Sequence, residues 1–139
     1  MRVLGVDFGE SRMGLAVSDP TMFLAGGIGT FEVSGIKNAV DIAGNKAREL
    51  DVKTVVIGYP VNMNGSVGPR AERSEKFAQL LREKFGLETE LVDERRTTIL
   101  AADYMDMTGT FGKKRKAAVD TLSAQIILQT YLDRLKNKE

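Results

Sequence analysis

The sequence predicts an α/β fold: a central mixed sheet of five strands with helices on both faces, in the order β-β-β-α-β-α-β-α. Three observations carry this expectation. Two short apolar runs, Val3 to Val6 and Met13 to Val17, flank the polar turn Gly9-Glu10-Ser11-Arg12, the pattern of a β-hairpin. Lys53 to Gly58 is a continuous β-branched run, as in a strand buried on both faces. From there strand and helix patterns alternate, and such alternation builds parallel strands through helical crossovers.

After the hairpin, Asp19-Pro20 marks a turn, and Phe23 to Val33 alternates loosely enough for a third strand, weakened by its glycines. Ser34 is placed to cap a helix from Ile36 to Leu50, with Ile36, Val40, Ala43 and Ala47 on one face and Gly44 as its weak point. The fourth strand breaks at Tyr59-Pro60 into a polar loop from Val61 to Gly68. Pro69 then stands at the N1 position of a helix whose apolar stripe is Phe77, Leu80, Leu81 and Phe85, ended by Gly86. Leu87 to Val92 reads as the fifth strand and runs into Asp93-Glu94-Arg95-Arg96. Thr97 or Thr98 is positioned to cap a short helix to Met105. Asp106 to Lys116, with two glycines and four consecutive basic residues, reads as a mobile loop, and Ala117 to Leu135 as the final helix. Right-handed crossovers would set the first strand near the centre of the sheet.

The 139 residues suffice for one domain with a proper core, and no apolar stretch approaches the roughly 18 residues of a membrane span. The N-terminus lacks the basic start and long apolar segment of a signal peptide, so a cytoplasmic location and no membrane partner are expected. The chain has neither cysteine nor histidine. That excludes thiol nucleophiles, Ser–His triads and the usual zinc ligands. Any hydrolytic chemistry must run on carboxylates, lysines, hydroxyls and hard cations such as Mg²⁺ or Mn²⁺, which take oxygen ligands. A net charge of +1 rules out a uniformly basic nucleic-acid binder but leaves room for a local basic patch.

Asp7 is the unusual residue of the hairpin, a carboxylate between Gly5 and Gly9 where an apolar side chain would pack. It either caps the turn or holds a cation. Two further acidic positions bear on that choice. Glu94, with Asp93 beside it, follows a strand that shares a rim with Asp7 if the two run parallel. Asp120 falls in line with Ala124, Ile127 and Tyr131 on the face that packs on the sheet, although an acidic residue early in a helix also suits the helix dipole. Gathered carboxylates repel one another, and divalent cations relieve that conflict. Two such ions about 4 Å apart activate a water and stabilise the leaving oxygen in phosphodiester cleavage. Arg12, Arg95 and the run Lys113-Lys114-Arg115-Lys116 are candidate phosphate contacts, as are Arg70 and Arg73 at the start of the second helix. Tyr59 and Asn62 could line a groove, or could simply be rim and turn residues.

Four blocks carry a family resemblance: VDFGESRMGLAVSD, IGYPVNMNGSVGPRAE, VDERRTT and KKRKAAVDTLSAQIILQTYLD, which together extend over nearly the whole chain. With them the chain resembles the YqgF (RuvX) family, described as Holliday-junction resolvases and as nucleases maturing the 5′ end of pre-16S ribosomal RNA. The resemblance implies a ribonuclease H-like fold and an acidic metal site carried by Asp7, Glu94 and Asp120, with Asp93 as a neighbour that the motif favours less than Glu94. It implies a structured RNA precursor or branched DNA as partner, and resolution of a two-fold symmetric junction would call for a homodimer. Two other readings stand beside it. The first block also looks like the phosphate hairpin of actin-like ATPases and sugar kinases, which hold nucleotide between two such domains. A non-catalytic RNA or ribosome-assembly module with a vestigial acidic site is the third.

Overall fold

The computed structural model describes residues 2–60, 68–93 and 112–137, with the backbone alone for 112–117. Strand β1 (Val3–Phe8) pairs antiparallel with β2 (Arg12–Ser18), and β2 antiparallel with β3 (Ala25–Glu32). On its other side β1 lies parallel to β4 (Thr54–Tyr59), which lies parallel to β5 (Glu88–Asp93). The sheet order β3-β2-β1-β4-β5 makes the first strand the central one, as right-handed crossovers require.

The two-residue period of β1 sorts its side chains between two cores. Leu4, Val6 and Phe8 pack with α1 (Ile36–Glu49) and α2 (Pro69–Phe85) on one face. Val3, with Val56 and Val92, packs against Ala124, Ile127 and Leu128 of α3 (Gly112–Asn137) on the other. Helices therefore cover both faces. Asp7 shares the parity of Val3 and Gly5, which turns it toward α3.

Helix α2 starts at Pro69 and ends where Gly86 adopts φ 66° and donates its N–H to Arg82 O, both as the sequence predicts. Helix α1 departs from expectation at its start. Ser34 does not cap it; Gly35, at φ 115°, precedes the first turn, and the Ser34 N–H donates to Asn38 Oδ1 at 2.9 Å. The reversal from β3 into α1 needs a positive φ, which only glycine supplies without strain. Gly44, the weak point of the α1 pattern, turns out to be a packing site: a Cβ there would overlap the ring of Phe85 on α2.

Two element starts move by more than one residue. Strand β3 begins at Ala25 rather than Phe23, because the turn before it is held by Asp19, whose carboxylate accepts N–H bonds from Thr21 and Leu24 at 2.7 Å each. Phe23 and Leu24 are left exposed. Helix α3 begins at Gly112, so Lys113, Lys114, Arg115 and Lys116 belong to a helix and not to the expected loop. Lysine and arginine are good helix formers, and no glycine or proline interrupts the chain from Lys113 onward. The short helix expected up to Met105 lies outside the described residues.

Candidate active site

The site is built where the C-terminal end of β1 meets α3. Asp7 pairs in register with Gly14 of β2. A Cβ on Gly14 would collide with the carbonyl oxygen of Asp120, so the helix backbone rests directly on β2 at the residue opposite Asp7. Side chains of α3 fix that seating. The Gln125 amide donates to Ala25 O at 3.0 Å, Gln129 Oε1 accepts from the Ala25 N–H at 2.9 Å, and the Thr30 and Thr121 hydroxyls meet at 2.7 Å. On the opposite face Phe8 stacks on Phe77 with ring centroids 4.6 Å apart, and the Arg73 guanidinium lies 5.2 Å from the Phe8 ring. The strand end that carries Asp7 is thus held from both sides.

Asp7 and Asp120 thereby line one cleft of about 350 Å³, together with Glu10, Ser11, Arg12 and Arg70. Asp120 does not sit in the opening turns of its helix, because α3 begins eight residues earlier. The dipole effect fades within the first turn, so it gives no account of a carboxylate at this position. Its side chain, 21% exposed, accepts a hydrogen bond from Arg12 Nε at 2.7 Å.

The other expected site residues divide. Asp93 ends β5, is exposed, and pairs in register with Tyr59. Because β5 runs parallel to β4 and β4 to β1, Asp93 lies on the same sheet rim as Asp7. Glu94, Arg95 and Asn62 lie outside the described residues. Lys113 to Lys116 precede Asp120 on the same helix by about one to two turns. Tyr59 is half-buried and donates its hydroxyl to Glu75 Oε1 at 2.9 Å, a bond to a carboxylate that raises the tyrosine pKa above its ordinary value. Among the described residues of the cleft lining, Tyr59 does not appear.

Arg70 is the cleft residue that a residue-type reading undervalues. Among many surface arginines nothing in its type singles it out. Its place follows from topology, since β4 runs parallel to β1 and Arg70 stands in the first turn of α2, the helix that follows β4 in the chain.

Among the described residues no group of three or more acidic side chains stands close enough to hold a metal ion. Two carboxylates nevertheless suit Mg²⁺ or Mn²⁺, since Mg²⁺ is commonly held by one or two carboxylates with waters and substrate phosphate completing the shell. Asp120 also already holds a cation, the Arg12 guanidinium.

Solved structures define the class. The chain is similar to Thermus thermophilus RuvC in complex with a Holliday junction substrate (TM-score 0.60, 11% identity, 98% of this chain and 96% of that one). It is equally similar to the fowlpox virus Holliday junction resolvase (TM-score 0.60, 12% identity, 97% and 99%). At such identities the likeness is one of fold, and the fold is ribonuclease H-like. The model of the family described as "RuvX: Holliday junction resolvase" matches residues 1–134, and the chain belongs to that family. Curated relatives agree. Proteins named "Putative pre-16S rRNA nuclease" from Ruminiclostridium cellulolyticum and from Geobacillus sp. are each 43% identical to it, over 97% of this chain and 96% of the first relative, and over 96% and 98% for the second. The chain is a nuclease, an enzyme hydrolysing phosphodiester bonds.

Proposed function

We propose that the cleft at the end of β1 is a divalent-metal-dependent endonuclease site, with Asp7, Asp120 and Glu94 holding Mg²⁺ or Mn²⁺ in a two-metal arrangement. The observation that carries the reading is the joint lining of one cleft by Asp7 and Asp120, residues from opposite ends of the chain, beside Arg12 and Arg70. Glu94 is included because it directly follows Asp93, which ends β5 on the sheet rim that carries Asp7. The cations supply an activated water and stabilisation of the leaving oxygen. Arg12 and Arg70 bind the phosphates flanking the scissile bond, contacts that position a strand without reading its sequence. Lys113 to Lys116 extend this role, with Arg95 beside Glu94. Four cationic residues in the first turns of a helix run against its dipole, and a bound phosphate relieves that conflict.

The substrate we infer is the 5′ precursor segment of 16S rRNA, in the cytoplasm, acted on by a single-domain enzyme. The relatives at 43% identity are named for pre-16S rRNA, whereas the resolvase structures are only 11–12% identical. The second reading, resolution of branched DNA, is favoured by the family description and would need two copies of the chain to cut symmetrically. Cleavage mapping on defined substrates decides between them. The first reading predicts a cut in a precursor-rRNA fragment by the monomeric protein. Symmetric nicks in a four-way junction, made by a dimer with the RNA left intact, would replace it.

A further inference from the structure

We propose that Arg12 is an internal counter-ion for Asp120 that changes partner, releasing the carboxylate to the metal and taking a substrate phosphate instead. The inference rests on the metal-dependent reading of the cleft and adds to it a coupling between metal and nucleic acid.

The pair joins positions 108 residues apart, through Arg12 Nε and Asp120 Oδ2 at 2.7 Å, in the cleft that Asp7 also lines. Its two members differ in exposure. The Asp120 side chain is 21% exposed, while that of Arg12 is 41% exposed. The guanidinium can therefore leave without disturbing the core. The residue it leaves stays at the cleft, because the backbone of Asp120 is pressed onto Gly14.

A largely buried carboxylate without a cation is costly, so the pairing satisfies Asp120 when the cleft holds no metal. Once a divalent cation binds there, it competes with the guanidinium for the carboxylate, and a guanidinium held within a few ångströms of that ion is repelled. Arginine is suited to the exchange. Its planar fork binds phosphate bidentately, stays protonated and sheds water readily. Its position at the first residue of β2, beside the Ser11 and Glu10 of the turn, keeps a released side chain at the mouth of the cleft. Metal and phosphate should then each favour the other, by the same factor in either order of addition.

The test measures Mn²⁺ affinity by calorimetry, on the full chain without nucleic acid, for wild type, Arg12→Gln, Arg12→Lys, Arg70→Gln and Asp7→Asn. Removing the internal competitor should tighten Mn²⁺ in Arg12→Gln by about fivefold, the scale of a partly exposed ion pair. Arg12→Lys keeps the charge and should stay near wild type. Arg70→Gln removes the same charge from the same cleft without touching Asp120, and should tighten Mn²⁺ by less than about twofold. With a short RNA strand and Ca²⁺ in place of Mn²⁺, Arg12→Gln should also lose the mutual enhancement of metal and RNA binding that wild type shows. Unchanged or weaker Mn²⁺ binding in Arg12→Gln overturns the exchange, as does equal tightening in Arg12→Gln and Arg70→Gln, which would make the effect one of net charge. If Asp7→Asn has the isotherm of wild type, the metal reading of the cleft falls as well. If Asp7→Asn weakens binding while Arg12→Gln changes nothing, only the exchange falls.

Discussion

Two aspartates bracket the hairpin strand β2, and they sit in opposite circumstances. Asp19, after the end of β2, is consumed by its own turn. Its carboxylate accepts the Thr21 hydroxyl and the N–H groups of Thr21 and Leu24, and the Thr21 hydroxyl leads the contacts that lower its pKa to about 2. Asp7, before the start of β2, stands beside a turn that the backbone closes for itself, Gly9 N–H donating to Arg12 O at 2.9 Å. It faces instead a helix from the far end of the chain. One carboxylate is local architecture and the other belongs to a surface assembled from several elements. Residue type does not separate them; the origin of their neighbours does.

The comparison can be broken by substitution, and the largest effect is expected at the assembled end. Asp7→Asn should leave the far-ultraviolet dichroism and the melting temperature near wild type while lowering the cleavage rate about a thousandfold, roughly 4 kcal/mol of transition-state stabilisation. A fall in activity matched by a fall in stability would make Asp7 a structural residue like Asp19. Gly14→Ala sharpens the point, because its methyl group would run into the Asp120 carbonyl and must displace α3. It should cost about 3 kcal/mol in denaturant unfolding and reduce activity along with stability.

Replacing Lys113, Lys114, Arg115 and Lys116 by glutamine should weaken binding to all nucleic-acid sequences alike and flatten its salt dependence, by about 0.7 in slope for each single-strand phosphate no longer neutralised. An unchanged slope would remove that run from the interface. The smallest effect belongs to Asp19. A carboxyl whose folded pKa is depressed contributes stability above its unfolded value of 3.8, and that stability is lost as pH falls through about 2. In Asp19→Asn the stability profile between those two values should therefore be flatter than in wild type, by thermal unfolding at each pH, with no change in activity near neutrality.

Most of the fold can be read from local patterns. The hairpin, the buried β4 run, the proline start and glycine stop of α2, and the central place of β1 all follow from period, turn chemistry and crossover handedness. What local patterns miss comes from tertiary contact. Gly44 reads as a defect until Phe85 is seen against it, and Phe23 reads as strand until Asp19 claims its turn. The lysine run lacks a helix-start signal, so a reading of pattern alone begins α3 too late and makes Asp120 a dipole partner. In the site, Asp7 and Asp120 are legible as misplaced charges. Their approach through Gly14 and the pairing of Asp120 with Arg12 are not, because nothing in the sequence states which arginine faces which acid.

The central claim is that carboxylates from distant parts of the chain carry metal-dependent hydrolysis. Its most direct test is the cleavage rate of a precursor-rRNA fragment and of a four-way junction, for wild type and Asp7→Asn, in Mg²⁺, in Mn²⁺ and in excess chelator. Wild type should cleave one substrate with either metal and not in chelator, and Asp7→Asn should bind that substrate but cleave it about a thousandfold more slowly. Cutting that persists in chelator, or that Asp7→Asn performs at the wild-type rate, would contradict the claim.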